Sequence, residues 1–273
     1  MRRLLAAVFL LTFAAGALTA AFSMRHRQPR LPAQAHATVA TPAPISQTPG
    51  AADDEADAAG DNWPDDADTP EQVVYAQPRM LHEAVAKLAP RVAGKPNLYF
   101  IGFAGDAGED VFLNEAEYAH TLFAKRFDVA GHELLLVNNP ATLSSYPLAS
   151  LTNLETAVDA IAEKMDRDSD ILFLLLTSHG TQDHLLYVNM DPLPLDQIAP
   201  EDLAGIFAKA RIRFKVIVIS ACYSGGFIDA LKDDSTMIVT AARADRSSFG
   251  CGSDSDITDV GRAFLVDGLN HNE

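Results

Sequence analysis

The chain contains only two cysteines, Cys222 and Cys251, too few for a fold stapled by disulfides. Basic residues are scarce as well: 21 Lys and Arg stand against 37 Asp and Glu, for a net charge of −16. A surface of that sign repels polyanions, which excludes a role as a nonspecific nucleic-acid binder. Apolar residues, by contrast, make up 48% of the 273 positions, enough to pack a core and too many for a wholly disordered or collagen-like chain. The length fits one folded domain with extensions.

Charge divides the chain into three segments. Residues 1–30 carry five arginines and no acid, residues 31–72 carry nine acids and no Lys or Arg, and the remainder carries −12. In the first segment Arg2 and Arg3 precede an uncharged run from Leu4 to Phe22, 19 residues long. A bilayer-spanning helix needs about 20, and the small residues from Ala17 to Ala21 also suit cleavage of a signal peptide. Either reading exports the remainder of the chain, and the expected location is membrane-anchored or exported, on the periplasmic (extracytoplasmic) side. Residues 31–72, rich in Ala, Pro and Asp, show no helical or strand period and are expected to form a disordered acidic linker, with Trp63 solvated. The folded domain is expected over 73–273.

That third segment alternates apolar runs with amphipathic stretches. Strands are expected at 97–103, 132–138, 171–177, 215–220 and 236–241, and helices at 114–127, 151–165, 200–210, 224–231 and 258–269. Ile171 to Leu176 and Val216 to Ile219 are apolar at consecutive positions, as strands covered on both faces require. The fold class is therefore α/β: three layers around a mainly parallel central sheet. Ligands of such sheets sit beyond the carboxyl ends of the strands.

Two of those ends carry chemistry. The run 171–177 leads into Ser178-His179-Gly180, and 215–220 leads into Ala221-Cys222-Tyr223-Ser224-Gly225-Gly226. A cysteine attacks as thiolate, and an adjacent imidazole takes its proton and later protonates the leaving amine. His179 and Cys222 are thus the candidate catalytic pair. A helix beginning near Ser224 would bring its positive end toward the sulfur. The amides of Gly180, Gly225 and Cys222 are candidates to hold an oxyanion. The string His179, Asp183, His184 is too sparse for zinc, and Gly102, Gly105 and Gly108 do not have dinucleotide-binding spacing. No metal or cofactor is expected. Cys251 reads as a free pocket-wall or core thiol.

The stretch Ile219-Ser220-Ala221-Cys222-Tyr223-Ser224-Gly225, coming after Ser178-His179-Gly180, resembles the legumain-type cysteine peptidases, relatives of the caspases that include asparaginyl endopeptidases and the catalytic subunit of glycosylphosphatidylinositol transamidase. Thr240-Ala241-Ala242 leading to Ser247-Ser248-Phe249-Gly250-Cys251 resembles the segment that lines the specificity pocket there. The resemblance spans roughly residues 95–270. It implies a caspase-like fold, a His179 and Cys222 dyad, and an oxyanion hole at Gly180 and Cys222. It also implies substrate contacts from Ser220, Ser247, Ser248 and Arg262. Asp110, on a loosely matching early stretch, is the candidate to orient His179.

Departures from the family bear on specificity. Asparaginyl endopeptidases have an acid two positions before the nucleophile, where this chain has Ser220. Arg262 stands near where another pocket acid is expected. These changes point away from a strict asparagine preference, toward acidic or small polar residues. The expected function is an exported or membrane-anchored cysteine endopeptidase acting on peptide or protein substrates through an acyl-enzyme. The same dyad also serves a transpeptidase or transamidase, and a catalytically silent membrane-tethered binding module of this fold is the remaining reading. Oligomeric state is left open.

Overall fold

The computed structural model describes residues 63–248 and 256–270. Five strands, β1 (Leu98–Ala104), β2 (Glu133–Val137), β3 (Ile171–Thr177), β4 (Phe214–Ser220) and β5 (Thr236–Thr240), form a parallel sheet in the order β2-β1-β3-β4-β5. The helices are α1 (Pro70–Ala86), α2 (Asp110–Arg126), α3 (Leu151–Lys164), α4 (Pro200–Ala210), α5 (Ile228–Leu231) and α6, which starts at Asp259–Gly261 and runs on as a π-helical stretch over Arg262–Leu269. Successive strand residues point to opposite faces, so each apolar strand feeds two cores. Ile101, Leu172, Leu174, Ile217 and Ile219 pack with α1, α3 and α4. Phe100, Phe173, Leu175 and Val218 pack with α2 and α6. The expected α/β three-layer architecture is present, with a sheet that is parallel throughout.

The expected disordered linker, 31–72, ends too late. Its last ten residues are ordered: Trp63 packs beside the cluster of Val73, Leu143, Leu148, Met190 and Leu193 and donates its Nε1–H to the Asp68 carbonyl at 2.8 Å. Thr69 then caps α1 reciprocally with Gln72, a Thr-x-x-Gln capping box visible in the sequence. Helix α1 escapes the sequence reading because Pro78 lies inside it and breaks the usual helical pattern. Val73, Gln77 and Leu81 nevertheless form one buried stripe, and the Gln77 side-chain oxygen accepts from the Leu148 amide (2.7 Å) and from Asn153 Nδ2 (3.0 Å). Among the described residues no helix is long and apolar enough to cross a membrane. The expected membrane segment, 4–22, lies outside the described residues, as do residues 31–62 and Cys251.

At the amino ends of the strands, fully buried Asp170 ties the sheet to the chain entering it. Its carboxylate accepts from Arg91 Nε (3.1 Å) and from the amides of Asn97 and Asp166 (both 2.7 Å). Burial alone would raise its pKa, but these donors outweigh burial and hold it at about 2. A depressed pKa stabilises the fold above the unfolded value, near 3.9, and the contribution disappears as pH falls through about 2. Asp170→Asn is therefore expected to cost about 2 to 3 kcal/mol at neutral pH, with the difference from wild type closing toward pH 2. Urea melts across pH 2 to 7 check it, and a constant difference would refute the assignment.

Candidate active site

In a sheet ordered β2-β1-β3-β4-β5, the chain leaves β1 toward one edge and returns through β3 toward the other. The crevice at that reversal, beyond the carboxyl ends of β1 and β3, is where such folds bind ligands. Here the loop after β1 supplies Asp106 and Glu109, and the end of β3 supplies His179. The His179 Nε2 lies 3.0 Å from Glu109 Oε1 and 3.6 Å from Asp106 Oδ2. Asp106 is itself fixed, its Oδ1 accepting from the Gly108 amide and from Asn189 Nδ2, both at 3.1 Å. Phe112 meets the imidazole edge-on, with ring centroids 5.1 Å apart. With Nε2–H donated to carboxylate, Nδ1 is left for proton exchange.

The cysteine is delivered to the same edge by register. Thr177 pairs with Ser220 across β3 and β4, so His179 and Cys222 stand two residues beyond a matched pair. Gly180 closes the arrangement, because a Cβ there would collide with the Cys222 carbonyl. Gly180 also faces Leu186 in an antiparallel bridge whose hydrogen bonds run from Tyr187 N to His179 O and from Thr181 N to Leu185 O. The Gly180 amide is thereby turned away from Leu186. Among the described residues neither it nor the Cys222 amide has an acceptor.

Beyond Cys222 the helix expected from Ser224 is a 3-10 turn, Ser224–Phe227, followed by the single turn of α5. So short a helix has little dipole to offer the sulfur. Tyr223 adopts φ 55°, the bend that starts this turn. The sulfur is instead contacted by Ser248, whose N–H and Oγ both lie 3.3 Å from Cys222 Sγ. Cys222 is free of any disulfide.

The other candidates from the sequence take different places. Asp110 is exposed at the start of α2 and accepts from Asn139 Nδ2 at 2.8 Å; its neighbour Glu109 is the residue that reaches His179. The expected helix begins at 114, one turn late, which conceals that shift. Ser220 is buried and pairs with Thr258 (Oγ to Oγ1, 3.0 Å) rather than facing a cleft. Ser247 and Arg262 are exposed, so Arg262 gives no support to a preference for acidic residues. Gly225 donates to the Ala242 carbonyl at 2.9 Å and its amide is thus committed. His184 has φ 64° and lies against Gly226, where any Cβ would strike its ring.

Glu115 carries no motif that marks it in the sequence. Only 1% exposed, its carboxyl lies beside Ser220, Thr177 and Thr258, and a Cβ on Gly261 would approach its Cδ to 2.7 Å. Burial raises its pKa and outweighs those polar neighbours. Thr177 and Ser220 lie two residues below His179 and Cys222. At about 3.3 Å per residue that is roughly 7 Å, so a buried carboxylic acid lies just under the site.

Residues 152–273 match the model of the Peptidase C13 family, which supports a legumain-type cysteine peptidase family and an enzyme of cysteine peptidase or transamidase type. The matched span includes His179 and Cys222 and begins after Asp106, Glu109 and Glu115. No curated protein matches the chain.

The Gly180 contact generates a prediction. Gly180→Ala should displace the Cys222 backbone, costing about 1 to 3 kcal/mol and slowing alkylation of Cys222 by iodoacetamide by about tenfold or more. Thermal melts and peptide mapping check this; normal stability with normal labelling would show that the two backbones do not need their close approach.

Proposed function

We propose that the protein is a cysteine endopeptidase in which Cys222 is the nucleophile and His179 the general base and acid. The observation that carries the reading is the imidazole held through Nε2 by Glu109, at the strand end beside the one that bears Cys222. His179 Nδ1 takes the thiol proton as Sγ attacks the peptide carbonyl. The carbonyl becomes an oxyanion facing the Gly180 and Cys222 amides, which have no other acceptor among the described residues and need no reorganisation to receive it. Collapse of this intermediate breaks the C–N bond, and His179 returns the proton to the departing amine. Water, deprotonated by His179, then releases the acyl group and restores the thiol. Glu109 and Asp106 orient the ring and stabilise the imidazolium, as the acid does in other nucleophile-histidine-acid arrangements. Family members of transamidase type use an amine at the last step, and the Peptidase C13 match is equally compatible with that outcome.

A peptide library incubated with the wild-type protein is expected to yield new termini, with Cys222→Ala and His179→Ala inactive. Glu109→Gln should lose about 10- to 100-fold in kcat, since it keeps the shape and loses the charge. A library left intact by folded wild-type protein, with and without an added amine, would refute the proposal.

The reading includes export, supported by the 19-residue apolar run from Leu4 to Phe22 behind Arg2 and Arg3. Membrane fractionation with protease accessibility is expected to place the domain across the membrane from the cytoplasm. Full-length protein recovered in the cytosol would overturn it.

A further inference from the structure

The segment 241–248 is bound along the nucleophile turn by its backbone. Ala241 N donates to Ile219 O (3.0 Å), Ala242 N to Ser224 Oγ (3.2 Å), Gly225 N to Ala242 O (2.9 Å) and Tyr223 N to Arg246 O (3.0 Å). A Cβ on Gly225 would come within 2.5 Å of the Ala244 amide nitrogen, so strap and turn touch without an intervening side chain. The strap delivers Ser248 to the sulfur, with its N–H and its hydroxyl oxygen each 3.3 Å from Sγ. These are the only polar groups among the described residues that contact that atom by hydrogen bond.

We infer that Ser248 is a catalytic residue that stabilises the Cys222 thiolate through two donors, a part distinct from substrate recognition; the inference rests on Cys222 being the nucleophile proposed above. When the thiol proton passes to His179, the sulfur gains a full negative charge, the Ser248 N–H that already donates to it becomes a charge-assisted donor, and the Ser248 hydroxyl, 3.3 Å away, turns its O–H to the thiolate. Ser248 keeps its own proton and the pair left behind is thiolate and imidazolium. The short α5 turn cannot supply this stabilisation, which explains why the strap must. In attack on a peptide the charge then moves from sulfur to the oxyanion at Gly180 and Cys222, and the Ser248 contacts relax as the S–C bond forms.

The test is the second-order rate of alkylation at Cys222, read by peptide mapping of the full chain with iodoacetamide. In that reaction the S–C bond forms as C–I breaks and iodide leaves, and no substrate is needed. Ser248→Ala is expected to slow alkylation by about tenfold at pH 7, Ser248→Thr to stay within about twofold of wild type, and peptide kcat to fall in parallel. Ser248→Gly is measured beside them, with melts for all three, so that loss of fold in one variant does not decide the matter. A folded Ser248→Ala or Ser248→Gly alkylated as fast as wild type overturns the inference, as does a wild-type Cys222 no more reactive than a free thiol. Slowed alkylation with no peptide cleaved by wild type keeps the Ser248 role and removes the peptidase reading. Cleavage with unchanged alkylation does the reverse.

Discussion

The site depends on a missing side chain. Gly180 lets the backbone beyond β3 rest on the backbone beyond β4, with the Cys222 carbonyl occupying the space of a Cβ. That contact sets the spacing of the two loops that carry His179 and Cys222, because the strands beneath them are locked by hydrogen bonds from Ile171–Phe214 to Thr177–Ser220. Parallel strands covered on both faces have no freedom to slip. The loops therefore inherit their register from the core, and the glycine converts register into contact.

Around this contact the remaining groups arrive from separate elements, each with its own constraint. Asp106 and Glu109 come from the loop after β1, where Asp106 and Asn189 form a bridge and the Ala107 amide donates to the Asn189 carbonyl at 3.0 Å. Ser248 comes from the strap after β5. Glu115 comes from α2, under the ends of β3 and β4, where burial holds its carboxyl above the usual range. Burial favours the neutral acid there, whereas Glu109 and Asp106 have an imidazole to orient. Residues of one chemical type thus do different electrostatic work at the same end of the sheet, according to what surrounds them.

The opposite end of the sheet uses charge differently. Asp170 is also buried, yet Arg91 and two backbone amides keep it ionised, so it fastens the amino ends of β1 and β3 together. The carboxyl ends are held by close packing at glycine and by hydrogen bonds to strap and loop. That leaves the Gly180 and Cys222 amides and His179 Nδ1 available for chemistry.

The layers and the two chemically important strand ends are legible in the amino-acid order alone. Consecutive apolar residues at 171–176 and 216–219 admit little except doubly covered strands, and Ser178-His179-Gly180 and Ala221-Cys222 come directly after them. The Thr69 to Gln72 capping box marks α1 as well, although Pro78 and the acidic composition upstream obscure it. Everything that depends on strand order and helix phase came from the tertiary structure. No local pattern tells that β1 lies beside β3, and hence that Asp106 and Glu109 face a histidine about 70 positions away. Moving the start of α2 by one turn separates Glu109, which touches the imidazole, from Asp110, which touches Asn139. Ser220 and Arg262, expected in the pocket from the family resemblance, turn respectively inward to Thr258 and outward to solvent. Side-chain direction is set by packing between elements, and that information is distributed over the whole chain rather than written beside the residue it governs.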